Sequence, residues 1–127
     1  MTKVFISFDY DHDKDLHGNL VAQAKRTDSP FKIVDQSLPS AVHEGNWKRE
    51  VRHRIRRADV VIFICGVNTH SAKGVEAEMS ITQSERKPYF LLKGRRHQSC
   101  SKPRNTPARD GMQSWTWPNI KSQFQRS

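Results

Sequence analysis

The 127-residue chain has no apolar run near the roughly 18–20 residues that span a bilayer, so no membrane partner is expected. Met1-Thr2-Lys3-Val4 leads straight into a strand pattern and leaves no room for a signal peptide, which makes the cytoplasm the expected location. Cysteine is scarce. The two residues show neither C-x-x-C nor Cys/His ligand spacing, so no structural metal is expected. Cys65 ends an apolar run and reads as a small core residue, whereas Cys100 sits in a polar loop. There is no internal repeat. Acids are missing from the C-terminal third: from Lys93 onward eight Lys/Arg face the single acid Asp110, a net +7 out of a formal +9. Such an excess speaks to association and solubility rather than to fold. The same stretch lacks aromatic residues interleaved with its bases between Lys93 and Arg109, so stacking on nucleic-acid bases is not expected.

What is present is a set of short apolar blocks separated by amphipathic ones. Val4–Phe8 and Phe31–Val34 are too short for helices and rich in β-formers, and Val60–Cys65 is six apolar residues long, as a strand buried on both faces should be. Tyr89–Leu92 gives a fourth strand, and Met112–Trp115 a fifth, short one. Between them, Leu16, Leu20, Val21 and Ala24 mark one face of a helix over Asp13–Arg26. Trp47, Val51, Ile55 and Ala58 mark a second, with Trp47 read as core packing, after a polar loop over Asp35–Asn46. Val75, Met79 and Thr82 mark a third, starting near 72–74 and ending near Arg86. This alternation predicts one domain over 1–127 with a three-layer, doubly wound parallel sheet of four to five strands, flavodoxin-like, in the order 2-1-3-4 with the fifth strand beyond. The basic loop 93–112 is expected to be irregular, with Lys93–Arg109 among the least ordered segments, and 118–126 to form a closing helix.

In such sheets ligands bind outside the carboxyl ends of the strands. That rule nominates Phe8, Asp9 and Tyr10, then Asp35, Gln36 and Ser37, then Gly66–His70, and finally Lys93–Arg96. The aspartates at 9, 11, 13 and 15 do not form an EF-hand loop, because the positions that need Gly and Glu hold Lys14 and Leu20. Asp9-x-Asp11 lacks the downstream acidic pair of a magnesium phosphatase, and strand three ends in Cys65-Gly66 rather than a phosphoacceptor aspartate. Asp11, Asp13 and Asp15 therefore read as helix-capping and surface acids. Glu78 stands apart: it lies one turn into the helix after the Thr69-His70-Ser71 loop, where a carboxylate can overhang the cleft between the loops after strands one and three. A carboxylate above a ribose can stabilise an oxocarbenium-like transition state.

These segments together resemble TIR domains. Val4–Phe8 is similar to their first box, Trp47–Arg52 with Ile55–Ile62 to their central helix and strand, and Gly74–Met79 to the helix that bears the catalytic glutamate in enzymatic members. The resemblance is nearest to the bacterial and archaeal TIR-like subgroup that includes the TIR protein of the Thoeris antiphage system. It rests on Asp9-Tyr10-Asp11, Ser29-Pro30-Phe31, Thr69-His70-Ser71-Ala72 and Trp115-Thr116-Trp117. It implies cleavage of NAD+ at the nicotinamide–ribose bond, as substrate and with no further cofactor. It also implies a cyclic ADP-ribose-type signal read by a separate effector protein, and self-association through TIR–TIR contacts for activity. By the same resemblance Glu78 is the catalytic carboxylate, Phe8 and Asp9 border the nucleotide, Asp35 and Ser37 sit in a mobile loop, and Thr69 and His70 line the pocket. A non-catalytic interaction module remains open beside this reading. So does a nucleic-acid-associated protein using Arg49, Arg52, Arg56, Arg95 and Arg96, the less expected of the two.

Overall fold

The computed structural model describes residues 1–37 and 44–125, with only the backbone at 44 and 45. The elements follow in the order β1 (Thr2–Ser7), α1 (Lys14–Ala24), β2 (Phe31–Gln36), α2 (Glu44–Arg57), β3 (Val60–Cys65), a 3-10 turn (Thr69–Ser71), α3 (Lys73–Ser84), β4 (Tyr89–Lys93), β5 (Met112–Ser114) and α4 (Trp117–Gln123). The five strands form one sheet in the order β2-β1-β3-β4-β5, and every pairing is parallel. This is the doubly wound α/β architecture that the alternation of apolar blocks implies.

Strand parity divides the core. Phe5, Val61, Phe63, Cys65 and Leu91 pack with Trp47, Val51 and Ile55 of α2 and Val75 and Met79 of α3. Their neighbours in sequence, Val4, Ile6, Ile62, Ile64 and Leu92, pack with Leu16 and Leu20 of α1 and Ile120 of α4 on the opposite face. Trp47 and Cys65 are thus core residues, as expected. Helix α3 ends in a Schellman turn: Lys87 N–H donates to Thr82 C=O, Arg86 N–H donates to Gln83 C=O, and Arg86 takes φ 56°. Pro88 follows and prevents continuation.

Four boundaries depart from the sequence reading. β2 continues to Gln36, because its ladder with β1 extends to Ile6 opposite Gln36. Asp35 is consequently a strand residue and not part of a loop. α2 begins a turn before Trp47, and the rest of the loop expected there, 38–43, lies outside the described residues. Asp13 stands at the N-cap of α1 but is not a surface acid: its side chain makes no capping bond, is buried, and accepts from Arg95 Nη2 at 3.1 Å. The segment 93–109 is irregular but tied down. Arg95 holds Asp15 with both terminal nitrogens at 2.8 Å, Ser101 N–H donates to Gly66 C=O, and Asn105 Nδ2 donates to Ser80 Oγ on α3. The expectation of little order there weighed only apolar content, and these ties are polar.

Gly66 has a specific reason to lack a side chain. A Cβ there would sit 2.2 Å from Asp13 Oδ2, a clash with a carboxylate that is itself boxed in. Gly66→Ala should therefore lower the unfolding free energy by ~1–3 kcal/mol, the usual range for overpacking. Urea denaturation followed by circular dichroism measures this, and an unchanged midpoint would show that Asp13 relocates at no cost.

Candidate functional site

The site is built by the carboxyl ends of β1 and β2 and the second turn of α3. Residues Val75, Glu78, Met79 and Thr82 share the inward stripe of α3, and all four are buried. Three of them suit that position by being apolar or, for Thr82, by returning its hydroxyl proton to the Glu78 carbonyl at 2.7 Å. Glu78 does not suit it, and its carboxylate has 0% exposure. Ser7 Oγ and Ser37 Oγ both donate to Glu78 Oε1, each at 2.6 Å. Ser37 is itself fixed twice, its N–H donating to Ile6 C=O at 2.8 Å and its Oγ accepting from Phe8 N–H at 3.0 Å. Among the described residues Glu78 Oε2 has no partner. Burial pushes the Glu78 carboxyl up to about 7, against the opposing pull of the Ser37 and Ser7 hydroxyls.

The geometry alters one expectation about Glu78. The residues that grip it come from the ends of β1 and β2, not from the loops after β1 and β3, and the carboxylate is enclosed rather than overhanging an open cleft. Glu76, two residues away and about 200° around the helix, faces elsewhere and lines a different cleft, between α2 and α3. A small recess of about 250 Å3 adjoins the Glu78 site through Ser37, with Tyr10, Asp35 and Arg54 in its walls. Two clefts of about 710 and 790 Å3 lie away from Glu78 and include none of the groups bonded to it. Chemistry, not size, marks the site, because an enclosed carboxylate with an unsatisfied oxygen is the costlier feature to retain.

The remaining nominated residues divide between this site and structural roles. Phe8 is buried, stacks on His17 with ring centroids 4.5 Å apart, and reaches the site only through its backbone N–H. Asp9 turns back on its own loop, accepting from Asp11 N–H at 3.2 Å and lying 2.8 Å from His12 Nδ1, and this contact raises the His12 pKa. Asp35 is held by Arg54 and Arg57 of α2, both at 2.6 Å. Thr69 Oγ1 accepts from Gly66 N–H at 2.7 Å and closes the turn after β3. His70 is exposed, and its N–H donates to Ser101 Oγ at 2.9 Å. Of the five arginines considered for nucleic acid, Arg52 and Arg56 both hold Glu85, and Arg95 holds Asp13 and Asp15. Sequence reasoning missed Ser7. Its signal was a lone hydroxyl inside the apolar run Val4–Phe8, which in a buried strand demands a polar partner. Among the described residues no group of three His, Cys, Asp or Glu is arranged to hold a metal ion, and no helix is long and apolar enough to cross a membrane.

The five-stranded parallel sheet flanked by helices is the flavodoxin-like architecture of TIR-like domains. The family model described as "Thoeris protein ThsB, TIR-like domain" matches residues 5–97, and the chain belongs to that family. No curated protein matches the chain.

The Glu78 titration should be visible in stability. Its folded pKa, about 7, lies above its ordinary value of 4.5, so the unfolded chain releases this proton first as pH rises. The contribution is fully present below pH 4.5 and is lost progressively as pH rises to about 7. A shift of this size corresponds to on the order of 3 kcal/mol. The expected outcome is that the parent loses stability between pH 5 and pH 8 relative to Glu78→Gln, measured by urea unfolding at both pH values. Parallel pH profiles for the two proteins would show that Glu78 ionises in the fold as it does in water.

Proposed function

We propose that this protein is an antiphage-defence enzyme that breaks the nicotinamide–ribose bond of NAD+, releases nicotinamide and forms a cyclic ADP-ribose-type signal, with Glu78 as the catalytic carboxylate. The observation that carries the reading is the enclosed Glu78 side chain: Oε1 takes two serine hydroxyls, and Oε2 is left without a partner. As the glycosidic bond stretches, positive charge develops on the ribose, and a carboxylate oxygen not already committed to a donor is the group that meets it. The serines hold Oε1 in one orientation, so Oε2 is the oxygen available to the sugar. A carboxyl poised near pH 7 is half ionised before substrate arrives, and a cationic nicotinamide ribosyl group draws it fully to the carboxylate.

In this arrangement Glu78 is closed off, so substrate must displace the Ser37 side of the site. Ser37 follows β2, an edge strand paired only with β1, while Ser7 ends β1, which is flanked on both sides. The recess beside Ser37 supports entry from that edge, with Asp35 and Arg54 at its rim. Self-association through TIR–TIR contacts would supply the rest of the substrate's walls, and the product would act on a separate effector.

The zero exposure of Glu78 also favours a second reading, a non-catalytic interaction module in which Glu78, Ser7 and Ser37 form a structural polar network. Kinetics separate the two. Concentrated protein incubated with NAD+ should release nicotinamide, detected by mass analysis. Glu78→Gln should reduce the rate by about 100- to 1000-fold, as loss of a preorganised charged group does. Glu76→Gln should change it less than about threefold, having no part in the charge stabilisation. Turnover by Glu78→Gln at the parent's rate would leave the module reading in possession.

A further inference from the structure

We propose that the cleft between α2 and α3 is a second ligand site, for a phosphate-bearing small molecule with a planar base, that is, a nucleotide. The cleft has a volume of about 790 Å3, and its walls are electrostatically one-sided. Lys48, Arg52, Lys73 and Arg104 line it against a single carboxylate, that of Glu76. Arg52 is committed to Glu85, but Lys73 and Arg104 make no ion pair with any described residue. By contrast, Arg26, Arg54, Arg56, Arg57 and Arg95 each hold an acid of this chain. Two uncommitted cations thus face one concavity beside a single carboxylate, and the matching ligand is anionic.

The rest of the lining says what the anion is attached to. Ala77 and Ile81 of α3 and the indole of Trp47 give the cleft an apolar wall, suited to a flat aromatic group rather than to phosphate alone. The Trp47 N–H is covered from solvent and finds no acceptor among the described residues. Arg104 is not on a loose loop. The adjacent Asn105 donates to Ser80 Oγ at 2.7 Å and accepts from Gln83 Nε2 at 3.0 Å, which fixes this turn over α3. The cleft's volume falls in the ~300–1,000 Å3 range of small-molecule sites, which favours a small ligand over a polymer. The site is independent of the NAD+ reading, because Glu76 and Glu78 project from different faces of α3.

The test uses the full chain and ADP as the probe, with adenosine and inorganic pyrophosphate as its two halves. Isothermal titration calorimetry should give saturable ADP binding, with adenosine and pyrophosphate each at least tenfold weaker, since a tenfold loss is the size expected for one well-made polar or stacking contact. Lys73→Gln with Arg104→Gln, both at exposed positions, should weaken ADP at least tenfold. A control with the same loss of charge elsewhere, Lys25→Gln with Arg109→Gln, should stay within about twofold, because exposed charges farther off are screened. In a two-dimensional NMR spectrum of the parent, the Trp47 indole resonance should be the one of the three that shifts with ADP. The proposal is overturned if the Lys73/Arg104 variant binds ADP as the parent does. It is overturned equally if pyrophosphate matches ADP, if ADP fails to saturate, or if a single-stranded oligonucleotide binds far more tightly than ADP and displaces it.

Discussion

A carboxyl group carried into a protein interior must be neutral, hydrogen-bonded or both, and whichever answer the fold adopts then fixes the elements that supply it. Here the answer is two serine hydroxyls on one oxygen of Glu78. Ser7 reaches it because strand parity puts residue 7 on the Phe5 face, toward α2 and α3, and away from the Val4 and Ile6 face toward α1. Ser37 reaches it because its own N–H continues the β2–β1 ladder onto Ile6 and the Phe8 N–H orients its oxygen. The ends of two strands and one helix are thus joined at a single atom. The price is an oxygen, Oε2, left without a partner, a loss of about 1–3 kcal/mol for a buried polar group.

The basic character of the chain is less diffuse than its net charge suggests. Arg54 and Arg57 close on Asp35, tying α2 to β2; Arg52 and Arg56 close on Glu85, tying α2 to the end of α3; Arg95 closes on Asp13 and Asp15, tying the loop after β4 to the start of α1. Most of these pairs are partly exposed and contribute little free energy one by one. Their effect is positional, since each joins elements distant in sequence. Asp13 is the exception: it is buried, burial raises its pKa, and Arg95 is its only charged partner in contact. Removing Arg95 would leave that carboxylate enclosed and unpaired, which is the costly direction for a buried pair.

The sheet was legible from sequence because its signal is local. Val60–Cys65 is apolar on both faces, which only a central parallel strand tolerates, and the β–α alternation then leaves few orders to choose from. Glu78 was nominated by its place one turn into the helix after the β3 loop and by the resemblance, but its burial was not legible, since a glutamate on an amphipathic helix ordinarily faces water. What the sequence hid is polar and long-range. Arg95 and Asp13 are 82 residues apart, and neither position carries a pattern that names the other. Asp35 looked like a loop residue because an acid weakens a strand signal, yet on an edge strand it can face the arginines of α2. The fixing of 93–109 rests on serine, asparagine and backbone contacts, which hydrophobic periodicity does not register.

On the proposed reading, enclosure and catalysis would pull on Glu78 in opposite directions, and the two serines bear on both. While the site is closed, burial favours the protonated acid, and the hydroxyls limit that rise by favouring the anion. In the proposed reaction, opening to substrate would reverse the first term, because the carboxyl would meet a cation and lose its reason to stay neutral. The two hydroxyls are not equally easy to give up. Ser7 is locked between β2 and β3 through the pairings of β1, so it keeps Oε1 oriented. Ser37 follows an edge strand and is held by the β1 ladder and the Phe8 N–H, so in the proposed reaction its bond to Glu78 would be the one exchanged for a substrate hydroxyl without unpicking the sheet. On that reading one donor on Oε1 stays fixed while the other is exchanged, so the carboxylate keeps its orientation as the sugar arrives.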